Sequence, residues 1–401
     1  MILSRLNNIL SILVSFMIVS QSLAQDFILD SAFGNNGTVI SSFDFSADIN
    51  DVYRQHDGKI LALGYLDSLN SYHTLITRYN TNGTLDKTFG NEGVVKNYIN
   101  EADMPQVIKV QNDGKILVGG NQRFAGTFPY LHHSILVRYL SDGQLDKSFG
   151  IEGKLELNTH EEKDDGIISM DLQDDGRIVA GGFADNNFML MRCLQDGTLD
   201  STFGVNGQVK GGIASQKQSY INAVKLLPDG KILAAGYAGY GNLSNSAFNF
   251  ALARYNPNGQ LDISFGNEGV VLTDILSSFH DVIKEIHFLE ENEKILVAGY
   301  SGSNIALAQY TKNGLLDSTF GNNGIAIADL CSGSNDLSIG ESGKIMVCGS
   351  KLIESFNSAA CIAIFNQDGT IDSLVGNNPI INDVQNANDY ANSIWINNGE
   401  I

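Results

Sequence analysis

The chain has 401 residues, of which 45 are Asp or Glu and 25 are Lys or Arg, so its formal net charge is −20. Such an acidic surface repels nucleic acid and anionic membranes, and we expect neither nucleic-acid binding nor membrane insertion. Four cysteines are too few for a disulfide framework in a chain of this length.

The first 24 residues predict a secretory signal peptide. A basic residue, Arg5, precedes an apolar stretch from Ile9 to Val19, and small residues lead up to Ala24. The alternative is a membrane anchor, but the apolar run is short and no stop-transfer pattern follows it. Cleavage after Ala24 leaves 24 basic and 45 acidic residues, a net charge of −21. We therefore expect residues 25–401 to be secreted or held at the outer surface.

One phrase, Leu-Asp-x-x-Phe-Gly-x-x-Gly, recurs along residues 25–401 and marks a single repeat domain. Successive marker aspartates lie 54 to 62 residues apart, and the last copy of the phrase is degenerate. The marker aspartates are Asp30, Asp86, Asp146, Asp200, Asp262, Asp317 and Asp372. A fixed period of this length indicates a repeat architecture.

Each repeat contains four short strand-like runs. In the first copy they are Gly37–Ser42, Ile49–Gln55, Lys59–Tyr65 and His73–Tyr79. Asp57-Gly58 joins the second run to the third and predicts a tight hairpin, because Gly accepts positive φ. The third run is continuously apolar, which is typical of a strand covered on both faces. Successive sheets must therefore pack against one another.

Four antiparallel strands in each of about seven repeats predict an all-β fold, a β-propeller of four-stranded antiparallel blades. The last repeat is incomplete: Asp372 is followed by a first-strand region near Ile380 and a second strand near Ser393–Ile396. We expect a seven-bladed ring that is gapped at its truncated last blade, with an exposed sheet edge. The alternative is a six-bladed ring with a C-terminal tail.

The repeated phrases resemble the bacterial delta-60 repeat family. The resemblance rests on the marker, on Asp-Gly-Lys-Ile-Leu-x-x-Gly and on Ala-Leu-x-Arg-Tyr, and covers nearly all of residues 26–401. It implies a secreted or surface protein with propeller-forming copies and no established activity, so no catalytic residue is carried over. The chain departs from the pattern at Cys193, Gln309 and Ile364, and around Asp372.

We expect the marker aspartates to be structural. An Asp before Lys-Thr-Phe-Gly or Ser-Thr-Phe-Gly can accept amide hydrogens of the next turn. An ion pair with the preceding Arg, such as Arg78, is conceivable but absent where Gln309 or Ile364 replaces Arg. Because Asn80–Asp86 echoes half of a calcium loop, calcium is the alternative to an Asx turn; otherwise no cofactor is expected.

The repeats differ most in three insertions, Asn121–His133, Leu155–Asp165 and Ala238–Asn249. Because the strands alternate in direction, these insertions lie at one end of the propeller, here called the insertion face. The Asp-Gly hairpins and the markers lie at the other end, the marker face. The insertion face often binds ligands in repeat proteins. Its aromatic and basic residues are candidate binding residues: Arg123, Phe124, Phe128, Tyr130, His132, His133 and Tyr240.

No phosphate loop, zinc motif, dinucleotide fingerprint or nucleophile elbow is found. We therefore expect a binding scaffold for an extracellular protein or glycan, with no catalytic or metal-binding residues. The alternative is an extracellular propeller hydrolase or lyase that acts on a polysaccharide or other polymer, with carboxylates at the central channel. Cys348 and Cys361 fall on neighbouring strands, where a disulfide or two buried thiols are possible.

Overall fold

The computed structural model describes residues 12–15, 17–18, 28–29, 31–68, 71–97, 103–123, 132–157, 164–211, 213, 218–239, 247–340, 342–354, 357–372, 380–382 and 390–395. Within these residues the secondary structure is all β. Six four-stranded antiparallel sheets form the blades of a β-propeller, numbered 1 to 6 in chain order. The structure therefore has the six blades of the alternative stated above rather than the expected seven.

Each blade runs from an innermost strand at the central channel to an outermost strand at the rim. The innermost strands are Ser46–Arg54, Asp103–Val110, Asp165–Leu172, Gln218–Leu226, Asp281–Leu289 and Asp336–Ile339. The second strands are Ile60–Ser68, Ile116–Arg123, Ile178–Ala184, Ile232–Gly239, Lys294–Ser301 and Ile345–Glu354. The third strands are Ser71–Tyr79, His132–Tyr139, Asn187–Cys193, Asn249–Tyr255, Asn304–Tyr310 and Asn357–Phe365. The outermost strands are Val94–Asn97, Lys154–Leu157, Gln208–Gly211, Val270–Thr273, Ile325–Ala328 and Ile380–Asn382.

Blade and sequence repeat are offset by one strand. The outermost strand of blade 1, Val94–Asn97, is the first run of the second repeat and pairs with Ser71–Tyr79. The marker turn makes this connection, since it joins the third strand of a blade to its outermost strand. Thr38–Ser41, the first run of the first repeat, consequently precedes blade 1 and pairs with Ile12–Ser15. Met17–Ile18 pairs with Ile28–Leu29.

Glycines at equivalent positions of the second strands lie opposite bulges in the innermost strands. The register of blade 4 shifts between Ile221 and Ala223, opposite Gly236. A Cβ added to Gly236 would lie 1.8 Å from the carbonyl oxygen of Tyr220. Gly64 and Gly299 meet equivalent carbonyl oxygens at 1.7 and 1.9 Å. The second strand therefore approaches the backbone of the innermost strand closely at these glycines.

The core lies between the blades. Leu61, Leu63 and Ile76 of blade 1 pack against a set of buried side chains from blade 2, and Phe89 of the marker turn closes this cluster. Phe149, Phe203, Phe265 and Phe320 take the same part in later clusters. The apolar second strands are thus covered on both faces by neighbouring sheets, as predicted.

The cysteines pair differently from the bridge considered above. Cys331 and Cys361 form a disulfide, with their Cα atoms 6.0 Å apart, whereas Cys193 and Cys348 are buried thiols. Cys361 lies opposite Gly349 and Cys348 opposite Ile362, one register position away. Because successive side chains point to opposite faces of a sheet, Cys348 and Cys361 face different neighbours. A bridge between them is therefore excluded.

Residues 390–395 lie between blades 6 and 1. They form no regular strand, but Asn335 Nδ2 of blade 6 donates to Ala391 O at 3.0 Å, and Asn392 Nδ2 donates to Ile49 O of blade 1 at 2.7 Å. The predicted gap in the ring is thus bridged at the channel. The rest of the expected last repeat, residues 373–379, 383–389 and 396–401, falls outside the described residues.

Candidate functional site

Five of the marker aspartates cap turns. Asp86 Oδ1 accepts the backbone N–H and the hydroxyl of Thr88 at 3.1 and 2.7 Å. The same pair of bonds, to a Thr or Ser two residues further on, is made by Asp146, Asp200, Asp262 and Asp317. Asp30 falls outside the described residues. In the preceding loop, Asn82 Oδ1 accepts the N–H of Thr84 at 3.1 Å, which confirms the Asx turn.

Four marker aspartates also form a buried ion pair with the preceding Arg. Arg78 Nε lies 2.8 Å from Asp86 Oδ2, and Arg78 Nη1 donates to Ser141 O of the next repeat at 2.6 Å. The guanidinium lies 4.5 Å from the ring centroid of Phe89. The equivalent residues Arg138, Arg192 and Arg254 make the same three contacts. Each Arg therefore holds its blade to the next one on the marker face.

In each of the six blades a further basic residue contacts the marker Asp, and it was not identified from the sequence. Lys59 follows the hairpin Gly of blade 1, and its Nζ lies 2.9 Å from Asp86 Oδ2. The equivalent residues that contact a marker Asp are Lys115, Arg177, Lys231, Lys294 and Lys344. Where Gln309 or Ile364 replaces Arg, this Lys is the cation that remains. The signal was a basic residue just after the hairpin turn in all six blades.

These contacts favour the ionised form of the marker carboxylate in blades 1 to 5, where its pKa is lowered. Burial alone would raise the pKa of Asp86, but the hydrogen bonds from Thr88 and Lys59 and the charge of Arg78 outweigh it and lower the pKa well below its usual value. Lys294 lowers the pKa of Asp317 to about 2. Both carboxylate oxygens of Asp86 are thus engaged by groups of the protein itself.

The structure describes part of the predicted binding face. His132 and His133 lie on the third strand of blade 2 rather than in a loop; His133 is buried, and His132 Nδ1 lies 3.5 Å from Asp164 Oδ1. The backbone of Arg123 ends the second strand of that blade. The insertion therefore spans residues 124–131. Phe124, Phe128, Tyr130 and Tyr240 fall outside the described residues.

A row of aromatic rings crosses blades 3 to 5 at the insertion face. The rings follow one another with centroids 4.9 to 5.1 Å apart, in the order Phe183, Tyr220, Tyr237, Phe248 and His280. Phe183 and Tyr237 lie near the ends of second strands and Tyr220 near the start of an innermost strand. Phe248 and His280 directly precede a third and an innermost strand, so all five lie at the insertion face. We call these five residues the aromatic row.

The aromatic row was not singled out from the sequence, although a signal for it exists. Phe183 and Tyr237 each follow the Gly that faces a bulge, as do Tyr65 and Tyr300 in blades 1 and 5. The Tyr220 hydroxyl donates to Asn186 Oδ1 at 2.7 Å, which ties blade 4 to blade 3. Since Tyr220 and Tyr237 remain partly exposed, the row can contact a ligand through ring edges and hydroxyl groups.

Charged side chains from several innermost strands meet at the central channel. Lys109 of blade 2 interacts electrostatically with Asp51 of blade 1, Asp171 of blade 3, Glu285 of blade 5 and Asp336 of blade 6. Because its partners come from blades on opposite sides of the ring, the Lys109 ammonium group lies near the axis. We call these five residues the channel cluster.

Three carboxyl groups of the channel cluster have raised pKa values. Burial raises the pKa of Glu285 to about 8, and repulsion from Asp336 adds to the shift. Burial also raises the pKa of Asp336 to about 6, with repulsion from Asp51 contributing. A protonated Glu285 can donate a hydrogen bond or a proton. However, Asp51 and Asp336 also accept backbone N–H groups, from Ile108 and Ile394 respectively, both at 2.9 Å.

Within the described ranges, no group of three or more His, Cys, Asp or Glu side chains is placed to hold a metal ion. The same part of the chain contains no helix long and apolar enough to cross a membrane.

The blades, their offset repeats and the marker contacts define a β-propeller repeat protein. Five stretches match the family described as "Domain of unknown function (DUF5122) beta-propeller", and each runs from a hairpin to the Phe of a marker: residues 55–89, 111–149, 173–203, 227–265 and 292–320. No curated protein matches the chain.

Solved structures with a similar course of the chain are distant in sequence. A protein from Lactobacillus plantarum has 12% identity and a TM-score of 0.49, over 93% of this chain and 100% of that one. A polysaccharide lyase, the PL25 ulvan lyase, has 10% identity and a TM-score of 0.44, over 82% and 81%. A GH32 β-fructofuranosidase from Bombyx mori has 11% identity and a TM-score of 0.37, over 80% and 85%. We draw no functional conclusion from these likenesses.

Proposed function

We propose that this chain is a secreted or cell-surface binding scaffold of the delta-60 repeat type, which holds an extracellular protein or glycan on its insertion face. The observation that carries the proposal is the aromatic row, because four of its rings, from three adjacent blades, are partly exposed at the insertion face, and only Phe248 is buried. Aromatic side chains are enriched where proteins bind ligands and partners.

The marker face supports the same proposal by contrast. Its aspartates are taken up by capping hydrogen bonds and by Arg and Lys, as in Asp86 with Arg78 and Lys59. A ring of equivalent carboxylates buried in turns is the pattern expected for a scaffold. The Cys331–Cys361 disulfide fits an oxidising compartment and therefore fits secretion.

The test is a binding screen of the secreted chain against extracellular glycans and proteins. We expect the screen to identify a ligand that binds the wild-type protein but not the Tyr237→Ala variant, because Tyr237 lies in the middle of the aromatic row. Ile151→Ala is the matched control: Ile151 is 80% exposed in a marker turn, so this variant should bind as wild type does. Loss of binding in Ile151→Ala together with full binding by Tyr237→Ala would place the ligand on the marker face and contradict the proposal.

A second candidate, an extracellular polymer hydrolase, rests on Glu285, which has a pKa raised to about 8 beside Asp336 in the channel. Glu285→Gln should then abolish release of reducing ends from a panel of polysaccharides, because Gln cannot give up a proton. The scaffold proposal instead predicts no turnover by either protein.

A further inference from the structure

Neighbouring innermost strands are joined by side chains at the bulge. Asn50 of blade 1 donates from Nδ2 to Pro105 O of blade 2 at 2.6 Å, and Asn222 of blade 4 donates to Ile283 O of blade 5 at 2.7 Å. The next residue of blade 1, Asp51, accepts the N–H of Ile108 through Oδ2. An Asn side chain therefore bonds to the next blade at both seams, and between blades 1 and 2 the acceptor Asp51 follows that Asn.

Residues 391–394 repeat this arrangement on both sides. Asn335 and Asp336 of blade 6 bind Ala391 O and the Ile394 N–H, as Asn50 and Asp51 bind blade 2. Asn392 in turn binds Ile49 O of blade 1, so Asn392 and Ser393 take the places of Asn50 and Asp51. The segment therefore fills a seventh position at the channel, between blades 6 and 1.

The attachment of this segment differs from that of the other innermost strands. The innermost strand of blade 1 pairs along its length with Ile60–Ser68, whereas residues 391–395 belong to no sheet in the described chain. Beyond the seam bonds, Ala391 N donates to Gly349 O at 3.1 Å, and the guanidinium of Arg54 lies 4.9 Å from the ring of Trp395. The described contacts that hold residues 391–395 are thus mainly side-chain bonds to the innermost strands of blades 6 and 1.

We propose that residues 391–394 act as a latch which closes the ring between blades 6 and 1, and whose release opens a lateral path to the channel cluster. The latch also covers a thiol, since the Sγ of Cys348 donates to Ala391 O at 3.3 Å and Cys348 is 1% exposed. Release of the latch therefore uncovers Cys348 while the blades remain folded.

Ser393 of the latch lies between two carboxylate groups of the channel cluster. Ser393 Oγ lies 2.8 Å from Asp336 Oδ2 and 3.3 Å from Asp51 Oδ1, yet a hydroxyl has a single proton to donate. Asp336 is also faced by Glu285, by Lys109 and by the thiol of Cys348. Burial and repulsion from Asp51 raise the pKa of Asp336 to about 6, whereas the hydrogen bonds from Ile394 and Ser393 favour its ionised form.

Thiol labelling of the full native chain tests the latch. Cys193, which is 0% exposed within blade 3, is the internal control, because it becomes accessible only when that blade opens. During a pulse of N-ethylmaleimide read by peptide mass spectrometry, we expect Cys348 to label at least about tenfold faster than Cys193. Equal labelling rates would mean that only global unfolding exposes Cys348, and would overturn the proposal even if no variant folds.

A pair of matched variants locates the opening. Asn392→Ala removes the bond to Ile49 O and should accelerate Cys348 labelling roughly fivefold to tenfold, the effect of one lost hydrogen bond. Asn222→Ala removes the equivalent bond between blades 4 and 5 and should leave the Cys348 rate unchanged. Acceleration of Cys348 by both variants, or by neither, would contradict a latch at residues 391–394.

Discussion

The ion pair at the marker leads to a prediction about stability, in which the loss of the marker Asp is compared between two blades of the same molecule. Asp146 in blade 2 is paired with Arg138 and Lys115, whereas Asp317 in blade 5 has Lys294 alone, because Gln309 occupies the position of Arg. Replacing either Asp with Ala removes the same cap. Only the change in blade 2 also leaves a buried guanidinium without its carboxylate.

The two losses should differ in size. The Arg138 side chain is 4% exposed, so Asp146→Ala should lower the free energy of unfolding by about 3–5 kcal/mol, the cost of breaking a buried pair. The Lys294 side chain is 28% exposed and can turn to water, so Asp317→Ala should cost about 0.5–2 kcal/mol, the value of a lost cap. Arg138→Gln combined with Asp146→Ala should be less destabilised than Asp146→Ala alone.

Urea unfolding at pH 7, followed by two probes that must coincide, measures these differences. The order of the two single variants should be the same with calcium and with a chelator, since the marker oxygens are bound by protein groups. Equal losses at Asp146 and Asp317 would refute the reasoning on the buried pair. Stabilisation of wild type by calcium, absent in both variants, would instead favour a metal-bound marker.

Three further results are expected from the same assay. Gly236→Ala should prevent formation of a stable blade 4, because its Cβ would overlap a backbone carbonyl; near-wild-type stability would contradict this. Reducing Cys331–Cys361, which are 30 residues apart, should cost about 3–4 kcal/mol by freeing the unfolded chain, and a smaller loss would show that the denatured state is already restricted. The folded pKa values of Glu285 and Asp336, about 8 and about 6, exceed the unfolded values of 4.5 and 3.8, so the native state binds more protons. Stability should therefore fall as pH rises from 4.5 to about 8, and Glu285→Gln should flatten that fall.

The propeller could be predicted from the sequence because each repeat contains clear turn signals between its strands. Asp57-Gly58 fixed the hairpin, and the apolar run after it required sheets on both sides. The offset between repeat and blade could not be predicted in this way, since the pattern does not state which two strands pair across the marker. Seven blades were expected because Asp372 keeps the marker in register, but the structure has the six four-stranded sheets of the alternative and a bridging segment at residues 390–395.

The sites were predicted less fully, because they depend on residues from different blades. Capping by the marker Asp is local and was predicted, whereas the Lys59–Asp86 contact joins residues 27 positions apart and was missed. The contact of Tyr220 with Tyr237 likewise needs the register of a folded sheet. His133 was expected on a loop and is instead buried, because its strand extends further towards the insertion face.

The claim that this propeller binds through its insertion face is tested most directly by amide hydrogen exchange, measured with and without the ligand that the binding screen identifies. The account predicts slower exchange at the strand ends of the aromatic row, residues 183–187, 218–221 and 236–239, and no change in the marker turns. Protection confined to the marker turns, such as residues 86–93, would contradict it.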